Sequence, residues 1–188
     1  MEEFRLQYPL SSESLVLDAG VYRGDSIHWW RSKWNCTVIG FEPAQTFFTQ
    51  SSHRFATDSR VSIHNYGLGA RNEKLPLSIQ NDGTSFYFEQ VDQVETAAMR
   101  DIVDVFDDLK LTSVDLFEIN IEGGEYELLP RMLDADLARR VRFFQVQYHP
   151  NGSPEPAAAR DRIRNRLSDT HREEWCWNGG QWESWALK

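Results

Sequence analysis

Short apolar runs alternate with amphipathic stretches along most of the chain. Five apolar runs predict buried strands at residues 15–19, 37–41, 61–66, 114–121 and 141–148. Helical spacing predicts helices at residues 25–34, from Pro43 onwards, and at residues 96–109, 124–133 and 154–170. This alternation is typical of an α/β fold, in which helices cover both faces of a mostly parallel sheet.

Two turn signals predict antiparallel hairpins outside this alternation. Asn81-Asp82-Gly83 separates residues 75–80 from residues 85–90, which predicts a hairpin insert. Near the C-terminus, aromatic and polar residues alternate on both sides of Asn178-Gly179-Gly180, which predicts a terminal hairpin at residues 171–188. We expect its tryptophans to pair across the strands and to pack on the last helix. Stacking of these rings on a sugar is the alternative.

Length and charge restrict the protein class. A chain of 188 residues suits a single domain, in which residues 1–14 form an N-terminal extension. A formal net charge of −9 disfavours a nucleic-acid partner. No apolar stretch approaches transmembrane length, and residues 1–14 lack the apolar region of a signal peptide. We therefore expect no membrane partner. The two cysteines are far apart in sequence and form no disulfide framework, so we expect a reduced, cytoplasmic protein.

The end of the first strand carries the first candidate binding motif, Asp18, Gly20 and Gly24. Ligands of open α/β sheets bind at the carboxyl ends of the strands, and glycine lets the backbone approach a ligand closely. The spacing differs from the Gly-x-Gly-x-x-Gly of dinucleotide folds. A carboxylate here would repel a pyrophosphate but would suit S-adenosylmethionine, which has an amino group and hydroxyls and no phosphate. The alternative is that Asp18 only caps a turn.

The end of the second strand carries another acid, Glu42, before Pro43. An acid at this position can accept hydrogen bonds from both hydroxyls of a ribose. The alternative role is an N-cap of the helix that begins at Pro43. Asp18 and Glu42 together indicate a nucleoside ligand without phosphates.

Four blocks of the chain, at residues 18–24, 40–43, 66–69 and 117–126, carry a family resemblance. Together they resemble the FkbM-type S-adenosylmethionine-dependent methyltransferases. The fourth block keeps Glu122, Gly123 and Glu125, but it has Glu118 and Asn120 where family members usually have lysine and aspartate. The resemblance implies a Rossmann-like, seven-stranded sheet with an antiparallel last strand. It also implies S-adenosylmethionine as cofactor and methyl transfer to a hydroxyl of a sugar or another small metabolite.

The resemblance also implies roles for individual residues. In the family, the glycine turn passes under the methionine part of the cofactor, the acid after the second strand binds the ribose, and the loop after the third strand walls the adenine. The end of the fourth strand lies beside the sulfonium and the acceptor. The cofactor residues are then Asp18, Gly20, Gly24, Glu42, Leu68 and Asn120.

Period-two alternation places Glu118 on the same strand face as Asn120. A carboxylate buried in mid-strand without a partner is costly, so we expect Glu118 either to lie near the end of the strand or to have a partner, for which Arg142 on the neighbouring strand is a candidate.

Methyl transfer to a hydroxyl benefits from a base that removes the proton. His149, after the fifth strand, and Glu122, after the fourth, are the predicted catalytic residues. The alternatives are a loop histidine with a local hydrogen bond and a glutamate that stabilises a helix N-terminus. No His/Cys/Asp cluster has metal-ligand spacing, so no structural metal is expected, although a carboxylate-bound magnesium ion stays open.

Three functional hypotheses follow from the sequence. The favoured one is an O-methyltransferase that acts on a small hydroxylated molecule. The rivals are a nicotinamide-dependent oxidoreductase, which the missing third glycine disfavours, and a non-catalytic module that retains the fold. The aromatic tail could also face a second subunit, which would make the protein a homo-oligomer.

Overall fold

A computed structural model of the chain describes residues 3–80, 83–85 and 93–188. The strands in chain order are β1 (Leu15–Ala19), β2 (Thr37–Phe41), β3 (Val61–His64), β4 (Gly67–Gly69), β5 (Glu73–Gln80), β6 (Gly83–Ser85), β7 (Gln93–Asp101), β8 (Val114–Ile119), β9 (Val141–Gln147), β10 (His171–Trp177) and β11 (Trp182–Leu187). The α-helices are α1 (Asp25–Trp34), α2 (Gln45–Arg54), α3 (Ile102–Asp108), α4 (Glu125–Asp134) and α5 (Pro156–Leu167). Short 3-10 turns occur at Glu3–Leu6, Leu137–Arg140, Pro150–Gly152 and Asn178–Gly180.

The main sheet has seven strands in the order β10-β11-β9-β8-β1-β2-β3. Five neighbouring strands, from β3 to β9, are parallel, whereas β11 is antiparallel to both β9 and β10. This arrangement confirms the predicted Rossmann-like α/β fold with an antiparallel terminal hairpin. It also brings the carboxyl ends of the parallel strands to one edge of the sheet.

The segment between β3 and α3 forms a second sheet in the order β4-β7-β5-β6. The predicted hairpin insert is present where β5 pairs antiparallel with β6, with Gln80 opposite Gly83. The turn residues Asn81 and Asp82, and residues 86–90 of the predicted second strand, lie outside the described residues. The pairing of β4 and β7 within this sheet was not predicted.

The predicted helix at residues 96–109 is wrong in its first part. β7 occupies Gln93–Asp101, and only Ile102–Asp108 is helical. The run Thr96-Ala97-Ala98-Met99 suits a helix locally, but its pairing with β5 overrides that preference. The helix begins one residue after Asp101, whose Oδ1 accepts a hydrogen bond from the backbone N–H of Val103 at 3.0 Å.

Helices cover both faces of the main sheet. One face packs Phe117 and Ile119 against α3, α4 and α5, and the other packs Leu116 against α1 and the N-terminal segment. Glu118 is buried on the second face, where Trp30 Nε1 donates to it at 2.6 Å. Gln145 Nε2 donates to Glu118 at 3.2 Å, and the Arg5 guanidinium lies at 3.5 Å.

Arg142 is therefore not the partner of Glu118. The register between β8 and β9 aligns Glu118 with Gln145, and Arg142 lies earlier in β9, before Phe143, which is aligned with Leu116. Arg142 lies instead 3.9 Å from Asp115. The cation near Glu118 comes from Arg5 in the N-terminal segment, which the sequence pattern did not connect to this strand.

The terminal hairpin forms one of the predicted aromatic pairs across its strands, whereas Trp175 lies opposite Ser184 and Trp185 opposite Glu173. Trp177 lies opposite Trp182, and Trp185 lies opposite Phe144 of β9. Trp185 shares a core cluster with Ile163 and Leu167 of α5, so the hairpin packs on the last helix. Within the described ranges, no helix has both the length and the apolar character needed to span a membrane.

Candidate functional site

A cavity of about 190 Å³ opens at the carboxyl edge of the main sheet. Its polar wall comes from the residues that follow β1, β2 and β8, and these include Gly20, Glu42, Asn120 and Glu122. Its apolar wall comes from the second sheet through Leu68 of β4, Leu75 of β5 and Met99 of β7. The site therefore lies where ligands of open α/β sheets bind, and the second sheet closes one side of it.

Gly20 lines the cavity, but the protein itself requires the glycine. Its φ is +91°, and a Cβ here would lie 1.9 Å from the carbonyl oxygen of Asn120. Gly24 is not among the residues that line the cavity. It precedes α1 with φ +82°, and a Cβ would lie 2.6 Å from the ring of Phe55. Both glycines thus serve the backbone and its packing, and the expected close approach to a ligand concerns Gly20 alone.

Asp18 is not among the residues that line the cavity. The residue is 1% exposed, and the hydroxyl of Ser26 in α1 donates to its Oδ2. Burial and the neighbouring carboxyl of Glu118 raise the pKa of Asp18 well above its ordinary value. Its Oδ1 is buried with no hydrogen-bond partner among the described residues. This position supports a role in holding the first turn of α1, and the cofactor role of Asp18, near the amino group or through water, stays a prediction.

Glu42 lies in the cavity wall and is 4% exposed. Its Oε2 accepts a hydrogen bond from the Tyr22 N–H at 2.7 Å, and its Oε1 accepts one from the Ala44 N–H at 2.8 Å. Burial raises the pKa of Glu42 to about 7, although both backbone hydrogen bonds oppose the shift. The second bond supports the entry to α2, so this carboxylate combines a local structural role with a place in the cavity wall.

Asn120 lines the cavity and carries a buried, unsatisfied acceptor. Its backbone N–H donates to the Ala19 carbonyl at 3.0 Å, which fixes the residue at the end of β8. Its side-chain Oδ1 is buried and has no hydrogen-bond partner among the described residues. A buried amide oxygen without a donor is costly, so this atom is an exception that calls for a functional or structural explanation.

Glu122 and His149, predicted from separate strands, lie together. Glu122 lines the cavity in a left-handed conformation, with φ +52°. Its Oε1 lies 3.4 Å from Nε2 of His149, which is 8% exposed and lies behind Glu122, not in the cavity wall. Nδ1 of His149 lies 3.1 Å from Oε1 of Glu125. Burial lowers the pKa of His149, but hydrogen bonds to Glu122 and Glu125 outweigh this effect and raise the pKa to about 9.

Sequence reasoning missed three kinds of residue at this site. It gave Glu125 no role, although an acid in the first turn of a helix beside the predicted site was a usable signal. It placed Leu75 in a hairpin and Met99 in a helix, so neither was connected with the cavity. Tyr22 also lines the cavity, with φ +51°, and only its place inside the glycine turn indicated it.

The described residues contain no group of three or more His, Cys, Asp or Glu side chains that could hold a metal ion.

Comparison with known proteins assigns the chain to a family. Residues 18–172 match the family model described as "Methyltransferase FkbM domain". The match covers the four blocks that carry the resemblance and favours methyl transfer over nicotinamide chemistry. The sequence has no significant match among curated proteins.

Solved structures of methyltransferases share the fold at low identity. A proposed rRNA methylase from Clostridium thermocellum is 9% identical, with a TM-score of 0.60 over 98% of this chain and 92% of that one. A proposed methyltransferase from Streptococcus mutans, solved with S-adenosylhomocysteine, is 9% identical, with a TM-score of 0.59 over 99% and 94%. An rRNA methylase from Streptococcus thermophilus is 10% identical, with a TM-score of 0.54 over 99% and 93%. At such identities the likeness concerns the fold alone.

Proposed function

Since this chain belongs to the FkbM methyltransferase family, we propose that it transfers a methyl group to a hydroxyl of a small molecule such as a sugar. S-adenosylmethionine is the methyl donor. The observation that carries the proposal is the position of Glu42, an acid at the end of β2 that faces a cavity with one polar and one apolar wall. An acid at this position is suited to a ribose, and the apolar wall is suited to a base.

The residues around the cavity fit S-adenosylmethionine. The carboxylate of Glu42 can accept hydrogen bonds from ribose hydroxyls, and Leu68 and Met99 offer an apolar surface for the adenine. The unpartnered Oδ1 of Asn120 can accept a hydrogen bond from an ammonium group. When bound, the cofactor supplies a methyl group on a sulfonium, which is already an activated leaving group.

Glu122 is the proposed acceptor-side residue. It lies in the cavity wall at the end of β8, where its carboxylate can accept a hydrogen bond from an acceptor hydroxyl and take its proton. His149 does not line the cavity and acts through its 3.4 Å contact with Glu122. Since the cofactor is already activated, the main task of these residues is to align the acceptor oxygen.

The charge of the cavity favours an acceptor without phosphate groups. Four glutamates line it, namely Glu42, Glu73, Glu122 and Glu127, and none of the described lining residues is Lys, Arg or His. A phosphate would meet several carboxylates without a cation in the wall. The net charge of −9 also disfavours the binding of a polyanion. These features support a small-molecule acceptor over RNA, although some structural neighbours are described as rRNA methylases.

The first test is calorimetry with S-adenosylhomocysteine and with NAD. We expect the first to bind and the second not to bind. The second test incubates the protein and S-adenosylmethionine with a neutral sugar, an amino sugar, a sugar phosphate or a short RNA, and measures the S-adenosylhomocysteine released. Turnover with a neutral or amino sugar supports the proposal, whereas preferential methylation of the RNA contradicts it. Cofactor binding without turnover on any hydroxylated compound would indicate a non-catalytic module.

A further inference from the structure

Glu125 is a fully buried carboxylate with three nitrogen atoms in hydrogen-bond contact. Its Oε2 accepts a hydrogen bond from the backbone N–H of Gly123 at 3.0 Å. Its Oε1 accepts one from the backbone N–H of His149 and contacts the imidazole Nδ1 at 3.1 Å. These groups come from two different loops, one after β8 and one after β9. The carboxylate therefore connects the two loops that carry Glu122 and His149.

The loop after β8 needs such an anchor because its backbone is unusual. Glu122 has φ +52°, a left-handed conformation that is unfavourable for a non-glycine residue, and Gly123 follows with φ +112°. The neighbouring loop leaves no spare room, since a Cβ on Gly152 would lie 2.1 Å from the carbonyl oxygen of Gly123. The Gly123 N–H is held by Glu125 in this conformation, which is also the one that turns Glu122 into the cavity wall.

The same carboxylate orients the imidazole. Each oxygen of Glu125 accepts a hydrogen bond from a backbone N–H group, so both oxygens act as acceptors toward their neighbours. The Nδ1 of His149 must then carry a proton toward Glu125, which leaves Nε2 to face Glu122 at 3.4 Å. A carboxylate that orients a histidine in this way is a recurring arrangement in acid–base sites.

We infer that Glu125 is a positioning residue, which holds Glu122 and His149 in the arrangement that presents the Glu122 carboxylate to the methyl acceptor. The inference rests on the proposed function for its consequence in catalysis. Its structural part, the hold on His149 and the loop after β8, can be measured without any acceptor.

The charged groups that act on the imidazole are Glu122 and Glu125. In the turn Pro150–Gly152, the backbone N–H of Gly152 donates a hydrogen bond to the His149 carbonyl at 3.3 Å. Burial lowers the pKa of His149, and the two carboxylates together raise the pKa to about 9. The ring is therefore cationic at neutral pH. Removal of the charge at Glu125 should leave the ring with one carboxylate and lower the pKa.

The test is an NMR titration of the His149 ring, with its resonance assigned from the spectrum of His149→Gln. In the unsubstituted protein we expect a midpoint near 9. In Glu125→Gln the midpoint should fall by at least about one pH unit, because one anionic partner is lost. Glu125→Asp keeps the charge and should restore part of the shift, and the exposed Glu13→Gln should leave the midpoint unchanged.

A midpoint near the ordinary histidine value in the unsubstituted protein would overturn the inference, even if Glu125→Gln does not fold. An unchanged midpoint in a folded Glu125→Gln would also overturn it, because the Glu125 carboxylate would then not be in contact with the imidazole. With an accepted substrate, Glu125→Gln should lower kcat at least about tenfold with KM nearly unchanged, and Glu125→Asp should recover part of the loss. If the titration behaves as expected but the unsubstituted protein transfers no methyl group, the proposed function fails and the positioning contacts stand.

Discussion

The imidazole of His149 lies 3.4 Å from the carboxylate of Glu122, although the two residues follow different strands. β8 and β9 are parallel neighbours, so the loops that follow them meet at the same edge of the sheet. The contact places a buried ring, with a pKa of about 9, directly behind a carboxylate in the cavity wall. Any acceptor-side chemistry of Glu122 is therefore coupled to the charge of His149.

Glu122→Gln should separate catalysis from cofactor binding. Loss of a general base typically lowers turnover by about 10²–10⁴-fold. Affinity for S-adenosylhomocysteine should stay within about threefold, because the proposed ribose contact belongs to Glu42. The two measurements are calorimetry and methyl transfer to an accepted substrate, with Glu13→Gln as the control. Equal loss of affinity and turnover would place Glu122 among the cofactor contacts, and normal turnover would leave alignment as the whole mechanism.

Gly20→Ala should destabilise the fold far more than Gly179→Ala. Both glycines have positive φ, at +91° and +66°, so both substitutions carry a left-handed penalty of about 1–2 kcal/mol. A Cβ at Gly20 also meets the Asn120 carbonyl at 1.9 Å, whereas nothing lies within 4 Å of one at Gly179. The clash should add about 1–3 kcal/mol to the loss in the free energy of unfolding. Urea denaturation measures both, and equal losses would contradict the close approach of β1 and β8.

Much of the main sheet could be predicted from the sequence because its strands are short apolar runs separated by helical spacing. β1, β2 and α1 have the predicted bounds. The site edge could also be predicted, since polar residues after parallel strands converge whatever their sequence separation. Glu42, Asn120 and Glu122 reach the cavity for that reason.

The features of the fold and the site that were not predicted depend on contacts between segments that are distant in sequence. A local sequence pattern carries no information about such contacts. Residues 96–99 favour a helix locally, but their pairing with β5 makes them a strand and brings Met99 to the cavity. Arg5 reaches Glu118 only because the N-terminal segment packs beside α1. Position 20 requires glycine because the backbone of Asn120, which follows β8, lies against it. The glycine motif could therefore be recognised from the sequence, but this contact could not.

Affinity for S-adenosylhomocysteine should rise with pH through the titration of Glu42. Burial raises the pKa of this carboxyl to about 7, and ribose hydroxyls donate best to its ionised form. Between about pH 6 and pH 8 the affinity should increase roughly tenfold, and the increase should vanish in Glu42→Gln. Because the raised pKa means that the folded protein holds this proton longer, the same group should lower the free energy of unfolding as pH rises from about 4.5 through 7. An equal increase in Glu42→Gln would assign the pH dependence to another group.

The most direct test of the cofactor site is calorimetric titration of S-adenosylhomocysteine into the unsubstituted protein and Glu42→Ala at about pH 8, where Glu42 is ionised. The exposed Glu13→Ala is the matched control, and circular dichroism checks that each variant is folded. We predict that the unsubstituted protein and the control bind equally. Glu42→Ala should bind roughly 10- to 150-fold more weakly, which corresponds to the loss of about 1.5–3 kcal/mol from hydrogen bonds to a charged group. Equal affinity in a folded Glu42→Ala, or no binding by the unsubstituted protein, would contradict the assignment of this cavity to S-adenosylmethionine.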